Sequence, residues 1–366
     1  MKPASIIFTR FPYSSQLGGE EIHTFAIAEH LRKIGHNLEF LTSCRVLLEY
    51  ARSNDFKSRK IWMYKPPVTP ATLLLFTVFS PLLLIWGFFI CSWIRVSRKN
   101  PHIYALSFTE KLILSPWCFL FRIPMVWIEH ARIGNWFHKN PWKFWYTIWE
   151  NGNDVTLVTV SKIMQQELGL PSAIVIPNAI PTEIFKKLYD VSILPEKVQT
   201  YLREHKFDIG YVGRLTEDKG MEVLLNLKKA FPEIGIITIG SGDYKNILEE
   251  NGIRNYPFMK KEQVACFMQN IQLLVLPATK TDPFGLVVIE SIAAGTPVLI
   301  SDKVGIKDYL IEGQEVLVSS VEQFTETVGS ILQNPSTLEK LKQKSEKTIS
   351  KFDYNKMLDN FAKLFQ

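Results

Sequence analysis

Short apolar runs alternate with stretches of helical periodicity along most of the chain. SIIFT (5–9) reads as a strand, and after a polar loop comes a helix in which Ile27, Leu31 and Ile34 recur at helical spacing and which Gly35 ends. NLEFLT (37–42), HIYAL (102–106), PMVWIEH (124–130) and VTLVTVS (155–161) read as further strands separated by helical segments. Strand–helix–strand alternation predicts a parallel sheet covered on both faces. The pattern then restarts with FDIGYVGRL (207–215), the helix MEVLLNLKKA, and the strands IGIITIG (234–240), LLVLPA (273–278) and PVLIS (297–301). The expected fold is therefore α/β, with two Rossmann-like domains facing across a cleft. They cover residues 1–180 and 181–350, meet at IPNAIPTEIFKK (176–187), and are followed by a C-terminal helix (351–366) free to return to the first domain. In such sheets the ligand lies at the carboxyl ends of the strands.

One stretch breaks the rhythm. Residues 66–94 carry no charge and include TLLLFTVFSPLLLIWGFFICSWI, and about 20 apolar residues suffice to cross a bilayer as a helix. A crossing would put strands 5–9 and 37–42 on the opposite side of the membrane from strands 102–106 and 124–130, so one sheet could not form. Pro81 is also expected to divide the run into pieces too short to span. Two readings stay open: a helix buried in the domain, or a broken helix lying in one leaflet. Arg95, Arg98 and Lys99 beyond the run, and the Trp-rich NWFHKNPWKFWYTIWE (135–150), favour the leaflet, with Trp136, Trp142, Trp145 and Trp149 at headgroup depth. On that reading, replacing Leu83, Leu84 and Phe88 with Ser abolishes vesicle binding.

Composition narrows the picture. With 366 residues and 46% hydrophobic content, both domains have enough apolar material for proper cores. The four cysteines (Cys44, Cys91, Cys118, Cys266) show no metal-like or redox-like pairing, so a reduced compartment and no metal are expected. MKPASIIFTRFPY runs directly into a strand without a signal-peptide core, which predicts a cytoplasmic protein. Residues 1–180 hold 19 Lys and Arg against 11 Asp and Glu (+8), and residues 181–366 hold 23 against 25 (−2). The basic first half suggests an anionic neighbour. With no nucleic-acid module in sight, the expected neighbour is a membrane surface, on the inner face of the cell membrane.

Candidate chemistry sits at strand ends. GRLTEDKG (213–220) places Arg214 and Lys219 on a loop flanked by Gly213 and Gly220, where two cations and open backbone can neutralise a diphosphate; a solvated surface loop has the same pattern. IGSGDY (239–244), with Gly240 and Gly242, is a tight turn at the same edge, and GGEE (18–21), with Gly18 and Gly19, is either a phosphate-approaching loop or an ordinary helix start. His130 closes a strand; a lone His there is more often structural. TDPFGLVVIESIAAGTPVLISD (281–302) holds Asp282 and Glu290 at the ends of an apolar run. A helix starting near Pro283 with Asp282 as its N-cap and Gly295 beyond its end accounts for the first acid. Glu290, amid Val287, Val288, Ile289 and Ile292, calls for a polar partner.

The combination is more specific than its parts. GG followed by an acid and a helix ending Gly35-His36, the strand-end His130, VSKIMQQELGL into IPN (160–178), GRL with Lys219-Gly220, the IGSG turn and PFGLVVIESIAAGTPV together resemble the retaining glycosyltransferases of family 4, which have the GT-B fold. The resemblance covers nearly the whole chain. It implies a nucleotide diphosphate sugar, UDP- or GDP-linked, as co-substrate, and no separate cofactor or metal. It implies Glu290 on the donor's ribose, Asp282 beside the transferred sugar, and the amides of Phe284, Gly285 and Leu286 on the diphosphate. Arg214 and Lys219 would balance the leaving group, and His130 would align the sugar. Asp282 stands where that family usually has Glu, and Ala179 where it has Gly.

With the apolar run, these residues lead to a hexosyltransferase acting on a lipid-linked or membrane-resident glycan in polysaccharide or glycolipid biosynthesis. A nucleotide-sugar epimerase of the same fold should lack the apolar run. A non-catalytic nucleotide-sugar-binding protein is disfavoured by the joint presence of Arg214, Lys219 and Glu290. A dinucleotide oxidoreductase is disfavoured because no G-x-G-x-x-G follows the first strand.

Overall fold

The computed structural model describes residues 3–10, 19–62, 64–130, 139–150, 152 and 154–366. The chain forms two compact units: residues up to Ile176 together with Asn355–Gln366, and Pro177–Tyr354. The first is built on a parallel sheet of β1 (Ser5–Arg10), β2 (Asn37–Thr42), β3 (Lys57–Lys60), β4 (Pro101–Ala105), β5 (Met125–Glu129), β6 (Val155–Thr159) and β7 (Ile174–Val175). Its order is β3-β2-β1-β4-β5-β6-β7. The second has β8 (Asp208–Val212), β9 (Gly235–Ile239), β10 (Arg254–Tyr256), β11 (Leu273–Leu276), β12 (Val298–Ser301) and β13 (Leu317–Ser319), in the order β10-β9-β8-β11-β12-β13. Each sheet is doubly wound, its order reversing beside its first strand, between β1 and β4 and between β8 and β11. Strands β1, β4, β5, β9, β11 and β12 are buried along their whole lengths. They read as continuous apolar runs because helices cover both faces.

The runs expected to be strands coincide with β1, β2, β4, β5, β6, β8, β9, β11 and β12. The strands without such a run are β3, β7, β10 and β13, and these are the four sheet edges. An edge is half-solvated and needs no apolar alternation. In β3, KSRK, the pairing is with β2 in the register Glu39↔Lys57.

The first helix spans Gly19–Lys33 and buries Ile27 and Leu31. Ile34 lies outside it and is exposed, because the chain leaves the helix at Gly35, which takes φ +95°. The helix Tyr354–Ala362 packs within the first unit: Asp359 meets His30 Nε2 at 3.0 Å, and Phe361 lies edge-on to His23 with ring centroids 5.0 Å apart.

Pro81 does not divide the apolar run. A single 28-residue helix spans Pro70–Ser97, with Thr69 as its N-cap. Pro81 cannot donate to the Thr77 carbonyl, and the Ser80 hydroxyl donates to that carbonyl instead, at 2.8 Å. One stripe, Phe76, Ser80, Leu83, Gly87, Ile90, Cys91 and Ile94, packs inward. The other face is apolar and open: Leu74 (67% exposed), Val78 (63%), Leu82 (64%) and Phe89 (59%). The helix is thus neither buried nor broken. It would be about 42 Å long at 1.5 Å per residue, and its apolar inner stripe is already taken by the protein.

Gly87 sets how closely it approaches the helix Phe108–Phe121, since a Cβ there would lie 2.9 Å from the Ile113 carbonyl oxygen. At the same crossing the buried thiols of Cys91 and Cys118 lie 3.7 Å apart. Gly87→Val should destabilise the first unit by roughly 1–3 kcal/mol through overpacking. Thermal unfolding measures this; an unchanged midpoint would contradict the close crossing.

Candidate active site

The loops after β8, β9, β11 and β12 converge at the carboxyl edge of the second sheet, and glycines let them touch. Gly240 takes φ +155°, and a Cβ on it would fall 1.8 Å from the Gly213 carbonyl oxygen. A Cβ on Gly242 would fall 2.3 Å from the Leu215 oxygen, and one on Gly220 1.9 Å from the Pro277 oxygen. Backbone bonds lock the first two loops: Gly213 N–H donates to Ile239 O (2.9 Å) and Leu215 N–H to Ser241 O (2.9 Å). The loop 213–220 is therefore fixed rather than a free surface loop. Tyr211, on β8, props it by donating its hydroxyl to the Arg214 carbonyl at 2.7 Å. Arg214 itself is exposed and forms no salt bridge among the described residues.

Lys219 Nζ lies 2.6 Å from Asp282 Oδ2, both side chains being largely buried. Asp282 is not the helix N-cap. Its backbone pairs beside Val304, its Oδ1 accepts from Phe284 N–H at 3.1 Å, and the helix begins three residues beyond Pro283, over Leu286–Ala293. The N-cap is Gly285 at φ +82°, and a Cβ on it would strike Val304. That left-handed turn is why Pro283 cannot open the helix. The Phe284 amide is thus occupied, whereas those of Gly285 and Leu286 have no partner among the described residues. They form an amide pair at a helix start, a ready anion site. Gly295, at φ +81°, follows the helix's end.

Glu290 lies in the middle of that helix, partly buried, and no side chain among the described residues hydrogen-bonds its carboxylate. Burial pushes its pKa up to about 7, offset in part by the Lys261 ammonium. The expected polar partner is absent among the described residues. The carboxylate is held ready at an energetic cost.

The first unit collects a second group at the carboxyl edge of its sheet. His130 follows β5; its Nε2 is buried without a partner among the described residues, and burial with nearby His23, Arg10 and Lys111 holds its pKa well below the ordinary value. His23, which the motif reading passed over, meets it edge-to-face at 4.6 Å, and neither of its ring nitrogens has a partner among the described residues. Its only sequence signal is its place four residues before Ile27 on the buried helix face. The acids of GGEE face Arg10: Glu20 at 3.1 Å, and Glu21 in a short contact. They close the helix start with an internal ion pair. Gly19 begins that helix; Gly18 and Trp136 lie outside the described residues. Beneath His130, the buried Lys111 binds Glu129 at 2.6 Å, and Tyr146 donates to the same Glu129 oxygen at 2.8 Å.

Comparison with known proteins gives this geometry its class. Residues 194–348, which hold all of the second-unit site, match the sequence model of the family "Glycosyl transferases group 1". An uncharacterized glycosyltransferase of Methanocaldococcus jannaschii is 24% identical over 337 residues, covering 80% of this chain and 79% of its own. The chain is a glycosyltransferase, and its residues 194–348 are similar to the group 1 family. A phosphatidyl-myo-inositol mannosyltransferase of Mycobacterium leprae is 21% identical over 225 residues, 58% of either chain. Among solved structures, Anabaena HepE in complex with UDP aligns over 98% of both chains with a TM-score of 0.77 at 15% identity, which gives the glycosyltransferase the GT-B fold.

The state of Glu290 has a measurable consequence for stability. A carboxyl whose folded pKa is raised contributes stability below its unfolded pKa and loses it as pH rises through about 7. Glu290→Gln should therefore raise the thermal midpoint at about pH 8 and leave it unchanged near pH 4. A lower midpoint at the higher pH would mean that the carboxylate is satisfied within the fold.

Proposed function

We propose that this glycosyltransferase is a retaining enzyme of family 4 that moves a hexose from a UDP- or GDP-linked donor to a lipid-linked or membrane-resident glycan. The observation that carries the reading is the grouping on one strand-edge assembly of Lys219, the amides of Gly285 and Leu286 and the Glu290 carboxylate, the last three without a hydrogen-bond partner among the described residues. Each part fits one part of a nucleotide diphosphate sugar. Glu290 accepts from the ribose hydroxyls, which stabilise its anion and repay its burial. The amides of Gly285 and Leu286 and the side chains of Arg214 and Lys219 take the diphosphate.

With the site empty, Lys219 is neutralised by Asp282; with donor bound, its ammonium turns to the phosphates and Asp282 is released toward the sugar. In the transfer step the bond from the anomeric carbon to the diphosphate oxygen breaks and its electron pair leaves with the diphosphate; the acceptor hydroxyl oxygen bonds to the same face of the carbon, and its proton passes to the departing diphosphate oxygen. The two cations stabilise the leaving charge. His130, held neutral by burial, is the residue assigned to align the sugar.

The acceptor class rests on the open face of the helix Pro70–Ser97, extended by exposed Phe119, Leu120, Phe144 and Ile148. An apolar patch of that extent suits a peripheral protein lying on the cytoplasmic leaflet. The mannosyltransferase from Mycobacterium leprae is named for a phospholipid substrate, which agrees with an acceptor drawn from a bilayer. The residues facing lipid differ from those the sequence suggested. Leu83 is packed inward and Phe88 lies against Trp117 and Phe121, while Trp142 and Trp145 spend their indole N–H groups on Thr77 Oγ1 (3.1 Å) and Leu112 O (3.0 Å).

Lys219→Ala and Arg214→Ala should each lower turnover by about 10²–10³, the usual loss when one preorganised charge contact is removed. Undiminished turnover of UDP- and GDP-sugars in both variants would overturn the diphosphate assignment. Donor affinity should rise with pH through about 7, as Glu290 ionises, and Glu290→Gln should flatten that rise; calorimetric titration with UDP and GDP measures it. For the acceptor side, Ser at Leu74, Val78, Leu82 and Phe89 together should abolish vesicle co-sedimentation and keep the thermal midpoint, whereas Leu83→Ser should lower the midpoint. Retained vesicle binding in the quadruple variant would leave a soluble acceptor as the better reading.

A further inference from the structure

A second feature of the first unit lies away from the carboxyl edge. A groove of about 660 Å³ opens at the amino edge of the first sheet, lined by the starts of β1, β2 and β3 and by Ser97, Arg98 and Lys99 at the end of the apolar helix. Four cations line it, Lys57, Arg59, Arg98 and Lys99, against one acid, Glu39.

Their pairing is uneven. Arg98 holds the buried Glu39 through Nε (2.9 Å) and Nη2 (2.6 Å), which leaves Arg59 only a long contact to Glu39, at 3.5 Å. Lys57 and Lys99 are exposed and make no salt bridge among the described residues. One buried carboxylate thus answers four positive charges, and the groove keeps a surplus that an anion would neutralise.

Trp93 ties the groove to the helix face. The guanidinium groups of Arg59 and Arg98 lie 4.9 and 4.6 Å from its ring centroid. Trp93 follows the exposed Phe89 by one helical turn, on the same flank as Phe89 and Trp86. The apolar face therefore ends beside the basic groove, and Val96, the last large apolar residue of the helix, is exposed next to it. Apolar surface flanked by an aromatic and by unpaired cations matches the order of a bilayer: acyl chains, interface, phosphate.

We propose that this groove is a binding site for the phosphate-bearing headgroup of an anionic lipid, built from residues other than those assigned to the donor. The proposal rests on the membrane reading above and refines it from a general attraction to a localised site. Lys57, Arg59 and Lys99 grip the phosphate. Arg98, committed to Glu39, keeps that acid from repelling it.

The test compares co-sedimentation of the full chain with phosphatidylcholine vesicles and with phosphatidylcholine–phosphatidylglycerol vesicles at one ionic strength. The proteins are wild type, the groove variant Lys57→Ala/Arg59→Ala/Lys99→Ala, and a charge-matched control Lys33→Ala/Arg52→Ala/Lys139→Ala. The groove variant should lose about tenfold to a hundredfold in affinity for the anionic vesicles, with its binding to neutral vesicles unchanged and the control losing far less. Equal losses in the two variants mean diffuse charge and overturn the site. So does undiminished binding of the groove variant, with the membrane reading left intact. Wild-type binding to neither vesicle would remove the membrane reading itself. Finally, inorganic phosphate replacing chloride at constant ionic strength should leave wild-type vesicle binding within about twofold, because a headgroup held at a surface gains from its neighbours in the bilayer. Release by phosphate alone assigns the groove to a soluble anion instead and overturns the lipid assignment.

Discussion

The second unit depends on backbone lying against backbone. Gly240 and Gly242 meet the carbonyls of Gly213 and Leu215, and Gly220 meets that of Pro277, at distances that leave no room for a side chain. These approaches draw the loops after β8, β9 and β11 into one body at the sheet's carboxyl edge. Lys219 reaches Asp282 only because Gly220, the residue after it, sits against the β11 loop. The left-handed turn at Gly285 then aims the helix Leu286–Ala293 so that two amides without a partner among the described residues and the Glu290 carboxyl belong to that same assembly. The placing of the Lys219–Asp282 pair and of the helix start beside it follows from a few missing Cβ atoms.

Much of this was legible in the sequence, for physical reasons that differ by element. Interior strands such as LLVL (β11) and MVWIE (β5) announce themselves because burial on both faces demands continuous apolar side chains. The edge strand KSRK does not, since it pairs with β2 on one side only and leaves its other edge to solvent. The site's residues were legible as a constellation; their mutual geometry was not. An Asp before a Pro reads as a helix cap, and only the φ of Gly285 reveals that the helix starts later and that Asp282 is free to hold Lys219. His23 carries no motif, and its role beside His130 emerges only when the first helix is laid against the end of β5.

The long apolar helix illustrates how composition can mislead in both directions. Pro81 looked like a break, but a neighbouring serine hydroxyl satisfies the carbonyl that proline abandons. The run looked long enough to span a membrane, yet Gly87 and the stripe around it commit one side to the domain. What remains is a one-sided apolar surface on a basic domain, bounded at one end by cations that the fold leaves largely unpaired. Of the residues that looked like lipid anchors in the sequence, Arg98, Trp142 and Trp145 are spent on internal bonds.

The central claim is that the carboxyl edge of the second sheet receives a nucleoside diphosphate by handing Lys219 from Asp282 to phosphate. The most direct measurement is a crystal structure of the chain with bound UDP or GDP. The account predicts the diphosphate against the amides of Gly285 and Leu286, the Lys219 ammonium within hydrogen-bonding distance of a phosphate oxygen, and both ribose hydroxyls on Glu290. A nucleotide bound elsewhere, or bound here with Glu290 untouched, would contradict it.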